Sequence, residues 1–233
     1  MSQKSSFRGN PIVDQDGHLA YLSVNYQANL INTNLVKSGQ EPKSYRELLD
    51  PKWKGKVIIP SAINAPGFNR LYALKDALGL DDDYFRRLAQ NNLTIAATDK
   101  DAADMIVRGE GEVSPLILSL ASASAAKGAP VKAAAAAEGT IAASGNTWSL
   151  IKNPAHPNAA RVFLNWLLSA EGQKIYSEAA SWTPIRKDVP DYIPAPLVVP
   201  EGAKIVFSDI ATEKKVADLR QEKVLAKLMG IEK

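Results

Sequence analysis

Between Lys56 and Lys127 the chain alternates, short β-rich runs that end in small polar residues being followed by stretches with apolar residues at helical spacing. Lys56 to Pro60 (KVIIP) has the composition of a strand, and Gly67 to Leu78 puts Phe68, Leu71, Leu74 and Leu78 on one helical face before Gly79 stops it. Asp81, Asp82 and Asp83 precede Tyr84, Phe85 and Leu88, so a second helix opens with acids in its first turn, where the helix dipole favours them. Leu93 to Ala97, Asp99 to Arg108, Val113 to Leu118 and Leu120 to Lys127 continue as strand, helix, strand and short Ala/Ser helix. Helical crossovers between strands imply parallel neighbours, so this order predicts an α/β unit with a mostly parallel sheet.

The flanks differ. Tyr21 to Ile31 and Gly139 to Ile151 are long extended runs outside the series, as strands crossing between two lobes would be. Helices are expected over Ala159 to Leu168 and over Ala170 to Ala180, the latter N-capped by Ser169. Val189 to Pro200 holds four prolines and predicts an extended surface arm. Glu213 to Leu228 predicts one amphipathic helix that buries Val216, Leu219, Val224 and Leu228.

Composition removes whole classes of function. Hydrophobic residues make up 45% and charged residues 23%, enough to bury a sizeable core, and no apolar stretch approaches the roughly 20 residues of a spanning helix. A net charge of +3 with mixed signs gives no reason to expect a nucleic-acid or membrane-surface partner. With no cysteine and two histidines, disulfides, thiolate catalysis and Cys-ligated metal sites are excluded, and the absence of thiols suits an oxidising compartment.

The candidate site follows from where small polar residues fall. Ser61 and Asn64 follow the first strand of the series, Thr98 and Asp99 the second, and Ser119 the third. In an open parallel sheet these positions share one edge, beyond the strand carboxyl ends, where helix N-termini offer unpaired N–H donors. Such a cleft suits a small polar or anionic ligand, with Asn25 or Tyr26 added from the first crossing strand. Each residue also reads as a helix N-cap, Thr98 and Asp101 having capping-box spacing. Other motifs carry less. Asp14-Gln-Asp16-Gly17 lacks the ligands of a calcium loop and reads as a tight turn, Gly109-Glu-Gly111 as a helix C-cap and turn, and His156 as a cap; His18 has no metal-ligand partner at recognisable spacing. No activated nucleophile, acid/base pair or metal cluster is traceable, so no catalytic residue, metal ligand or cofactor is assigned.

Two segments carry a resemblance. Pro42-Lys-Ser-Tyr-Arg-Glu-Leu-Leu-Asp-Pro-Lys-Trp-Lys-Gly-Lys-Val-Ile-Ile-Pro60 is similar to the Leu-x-Asp-Pro-x-Trp-Lys-Gly-Lys stretch that leads into the second lobe of bacterial extracellular solute-binding proteins (family 1). Asn153 to Gln173, followed by Pro184-Ile-Arg-Lys-Asp-Val189, resembles the paired helices of the same family, in its iron, polyamine and phosphonate branch. The resemblance implies a type II periplasmic-binding-protein-like α/β fold of two lobes that close on a solute for an ABC importer, with the membrane permease as partner. Laid on this chain it gives a first-lobe remnant and first crossing over 1–36, a complete second lobe over 37–138, a second crossing over 139–152, first-lobe helices over 153–195, and a C-terminal arm and helix over 196–233.

Family members carry a signal peptide and further first-lobe sequence. The expectation is therefore a truncated first lobe that self-associates, periplasmic by resemblance but cytoplasmic as given, because Met1 to Asn10 is polar. Ferric-binding members place adjacent tyrosines after the strand that matches Val113 to Leu118, where this chain has Leu118-Ser-Leu-Ala-Ser122, which disfavours iron. Polyamine binders need carboxylates and aromatic faces, and Asp99 is the only acid at the strand ends. The expected ligand is an anion or a neutral polar solute. The alternatives are a ferric-iron binder, a non-functional fragment and, last, an enzyme on the same fold.

Overall fold

A computed structural model of the chain describes residues 6–7, 10–11, 19–144, 147–208 and 213–231; the Asp14 to Gly17 turn and His18 lie outside them. In chain order the strands are β1 (Ser6–Phe7), β2 (Asn10–Pro11), β3 (Leu19–Tyr21), β4 (Ser23–Asn32), β5 (Ile58–Pro60), β6 (Thr94–Ala96), β7 (Val113–Ile117), β8 (Val131–Ala134), β9 (Thr140–Ser144), β10 (Thr147–Ser149), β11 (Thr183–Pro184) and β12 (Ile205–Ser208). The helices are α1 (Ala65–Leu78), α2 (Asp82–Ala89), α3 (Asp99–Arg108), α4 (Ser122–Ala125), α5 (Pro157–Leu167), α6 (Ala170–Ala180), α7 (Glu213–Gln221) and α8 (Val224–Leu228). The chain divides into two compact units, residues 1–25 with 143–193 and residues 26–142 with 194–233.

In the unit formed by 26–142 and 194–233, β5 and β6 are parallel, with Ile58 opposite Thr94 and Pro60 opposite Ala96. A parallel bridge from Val57 to Val113 aligns β7 with them. The expectation of a mostly parallel sheet is corrected by β4, which pairs antiparallel with both β7 (Gln27 opposite Ile117) and β8 (Leu30 opposite Ala133). The crossover rule constrains only strands joined through helices. Between β4 and β5 lie turns and short 3-10 helices instead, so nothing in that connection forces β4 to run parallel.

Apolar positions of α1 (Phe68, Leu71, Leu74) and α2 (Tyr84, Phe85, Leu88) are buried with Ile58, Ile59 and Ile106 in the core of this unit. Gly79 and Gly109 close α1 and α3 in the left-handed region, at φ 67° and 78°. Two further expectations fail. Leu120 to Lys127 forms a 3-10 turn over Leu118–Ala121 and only the short α4. The helix expected over Glu213 to Leu228 breaks into α7 and α8 at Lys223, which has φ 55°. That break restarts the helical register: Leu225, Ala226 and Met229 are the buried residues, while Val216, Leu219, Val224 and Leu228 are only half-buried. α8 packs on α1 and α2.

In the unit formed by 1–25 and 143–193, β3 pairs antiparallel with β10 and the start of β4 with β11. Ser169 caps α6 by accepting from Gly172 N at 3.1 Å, and buried Gln173 ties α5 to β11 by donating to Leu167 O and accepting from Ile185 N. His156 occupies the N-cap position of α5 without a side-chain capping bond, contrary to its expected role. Trp148, Phe163 and Trp166 form an aromatic row with centroids 5.7 and 5.8 Å apart. Ile151 and Val162 of this unit are 71% and 69% exposed.

Candidate ligand site

Because β5, β6 and β7 share one direction, their carboxyl ends open on one edge, and the connections leaving them carry the polar residues expected there. Asn64, the N-cap of α1, uses both ends of its amide: Oδ1 accepts from Gly67 N at 2.9 Å and Nδ2 donates to Ala97 O at 2.6 Å. It therefore caps a helix and also ties the end of β5 to the end of β6. Ser61 Oγ accepts from Ile63 N at 3.3 Å and shapes the loop between β5 and α1. Thr98 caps α3, accepting from Asp101 N at 3.1 Å and donating to Asp101 Oδ2 at 2.8 Å. Ser119 lies, half-buried, in the 3-10 turn after β7. Tyr26 is buried on β4, and the pairing of Gln27 with Ile117 brings its neighbourhood to the same edge. Asn25 precedes it, half-buried, in the other unit.

Asp99 has a second role. It is the first residue of α3, 9% exposed, and its Oδ2 lies 3.4 Å from Arg70 Nε on α1. Arg70 O in turn accepts from Gln27 Nε2 at 2.9 Å, so β4, α1 and α3 meet at one polar cluster. Sequence reasoning missed Arg70 and Gln27. Arg70 lies within the Phe68–Leu71–Leu74 stretch and resembles any surface residue of an amphipathic helix. One signal was available for Gln27, the repetition of Asn25, Gln27 and Asn29 within a strand whose described positions are almost all buried.

Burial raises the Asp99 carboxyl above its ordinary value of 3.8, and the attraction of the Arg70 guanidinium only partly opposes this. A folded-state pKa above the unfolded one means that Asp99 contributes stability in full below about pH 4 and loses it as pH rises through the raised value. We expect unfolding free energies of the wild type to fall over that window relative to Asp99→Asn, measured by urea titration from pH 3 to 7. A pH-independent difference between the two would show that Asp99 is not perturbed by its surroundings.

A mixed α/β chain with its polar residues gathered at strand carboxyl ends is built as two-unit periplasmic binding proteins are. The chain belongs to the bacterial extracellular solute-binding protein family, whose profile matches residues 2–217. An uncharacterized protein of Haemophilus influenzae is 28% identical over 172 residues, which is 68% of this chain and 48% of that protein. The chain thus spans about half the length of this curated relative. Among solved structures, a substrate-binding protein of an ABC transporter from Agrobacterium tumefaciens superposes with TM-score 0.74 at 13% identity, over 97% of this chain and 73% of that one. The periplasmic binding protein AfuA from Actinobacillus pleuropneumoniae, with fructose-6-phosphate bound, gives 0.70 at 21% identity over 95% and 70%. Iron-bound HitA from Pseudomonas aeruginosa gives 0.70 at 17% identity over 91% and 71%. These likenesses establish the type II periplasmic-binding-protein fold.

Proposed function

We propose that the chain acts in the solute-binding component of an ABC importer, holding a small polar or anionic solute at the edge formed by Ser61, Asn64, Thr98, Asp99 and Ser119, with Tyr26 contributing from β4. The observation that carries this reading is the common direction of β5, β6 and β7, which gathers neutral hydrogen-bonding groups and the first turns of α1 and α3 in one place. Family membership supplies the transport context, a permease as partner and the periplasm as location, and the solved neighbours are named as binding proteins rather than enzymes. A ferric-iron ligand is the second reading, favoured by iron-bound neighbours of the same fold.

Thermal unfolding across inorganic anions, phosphonates, carboxylates, sugars, polyamines and ferric iron tests the reading, because a ligand of the native state at 100 times its Kd stabilises by about 2.7 kcal/mol. Failure of every solute to raise Tm would refute it. Asn64→Ala and Thr98→Ala separate capping from contact. Each is expected to lose about 0.5–2 kcal/mol of stability as a cap. For a residue that touches the solute, affinity also falls by about two- to tenfold, the worth of one neutral hydrogen bond. Stability loss with unchanged affinity for a verified solute would leave Asn64 and Thr98 as scaffold alone.

A further inference from the structure

We propose that Arg70 anchors an anionic group of the solute at this edge, with Asp99 as the internal counter-ion that holds the guanidinium in place until the solute takes it. The proposal rests on the solute-binding reading above and narrows its ligand to a carboxylate or phosphate.

The geometry of the pair is the reason. A guanidinium presents a planar fork of N–H donors that fits a carboxylate or phosphate edge-on, and a satisfied Arg–carboxylate pair makes two short parallel bonds. Arg70 falls short of that. Its Nε lies 3.4 Å from Asp99 Oδ2, and among the described residues that buried Nε makes no hydrogen bond. Asp99 Oδ1 is likewise buried without a hydrogen-bond partner among them. The pair is held together and yet unfinished.

Accessibility decides which member meets a ligand. The side chain of Arg70 is 21% exposed and that of Asp99 12%, so a solute arriving at the edge meets the cation more readily than the acid. The lysines of α1 and α3 are engaged elsewhere, Lys100 with Asp104 and Lys75 with Asp82. The second acid of the α3 first turn, Asp101, is exposed and bonded to Thr98. The other edge groups, Ser61, Asn64 and Thr98, are neutral and suited to the uncharged part of a solute.

The test is thermal stabilisation and calorimetry with inorganic phosphate, citrate and a hexose phosphate, each against a neutral sugar and spermidine, on the wild type and four variants. Anions should stabilise the wild type, and the neutral and cationic probes should not. Arg70→Gln should weaken the best anion by about 30-fold or more, and Arg70→Lys, which keeps the charge without the fork, by about tenfold. Asp99→Asn should bind the best anion more tightly than the wild type, since the carboxylate that competes for the guanidinium is gone. Because Arg70→Gln leaves Asp99 without its cation and can weaken the fold, Arg70→Gln/Asp99→Asn removes both charges together, and it should fold and still bind weakly. Wild-type anion affinity in that double variant, or stabilisation by the neutral or cationic probes alone, would overturn the role of Arg70 and leave solute binding standing. No stabilisation by any probe would overturn both.

Discussion

Trp53→Ala is expected to lower the unfolding free energy by about 3–5 kcal/mol, the cost of removing a large buried aromatic, while leaving solute affinity within about twofold. Trp53 is 3% exposed at the end of a 3-10 turn, Pro51–Trp53, whose first N–H groups are ordered by Asp50: its carboxylate accepts from Lys52 N at 2.9 Å. The loop beyond is fastened at two points, Gly55 N to Asn91 O at 2.8 Å and Asn91 Nδ2 to Leu48 O at 2.7 Å. Gly55 takes φ 74°, which a side chain would resist. Leu48 and Trp53, the buried residues of the otherwise largely exposed Leu-Leu-Asp-Pro-Lys-Trp-Lys-Gly-Lys stretch, thus anchor the chain where it enters β5 at the end remote from Ser61. Trp53 Nε1 is buried without a partner among the described residues, so Trp53→Phe keeps most of the apolar area, loses that orphan donor, and should cost no more than about 1 kcal/mol. Urea unfolding with an unchanged m-value checks both variants. A loss below about 1 kcal/mol for Trp53→Ala would mean that the turn collapses without penalty and is no anchor.

What could be read from the chain was what local physics decides. The apolar spacing of Phe68, Leu71 and Leu74, the left-handed stops at Gly79 and Gly109, and the caps Asn64, Thr98 and Ser169 need only near neighbours, and the structure has each of them. The shared edge was legible as well, since helical connections from β5 to β6 and from β6 to β7 leave little choice of strand direction. Most of the misses are matters of tertiary pairing. An extended run such as Ser23–Asn32 says nothing about which strands will flank it, so the antiparallel insertion of β4 between β7 and β8 had no sequence signal. Arg70 and Asp99 sit on different helices and meet only because β5 and β6 are adjacent. The left-handed residue that splits α7 from α8 is a lysine, which carries none of the warning a glycine would. The second bond of Asn64, to Ala97 O, is of the same kind: capping predicted its Oδ1 but not its Nδ2.

Gly67→Ala is the sharper probe of how the edge is built, because at an ordinary helical position the exchange would stabilise by about 1 kcal/mol through helix propensity. Here a Cβ would lie 2.1 Å from Ser61 O and 2.9 Å from Ser61 C, both backbone atoms, and 3.1 Å from Asn64 Oδ1. No rotamer change relieves a clash with backbone. Either α1 lifts away from β5, loosening the seat of Phe68, or the loop from Ser61 to Asn64 moves out and the bond from Asn64 Oδ1 to Gly67 N is lost. Overpacking of this kind costs about 1–3 kcal/mol and the lost cap about 0.5–2, so after the gain in propensity the net loss should be about 0.5–4 kcal/mol. Since Ser61 and Asn64 must shift, affinity for a verified solute should fall further in Gly67→Ala than in Asn64→Ala, although Gly67 has no side chain to offer a ligand. Equal affinities in the two variants would show that the position of this loop does not govern binding, and a gain in stability would show that α1 is free to move off the sheet.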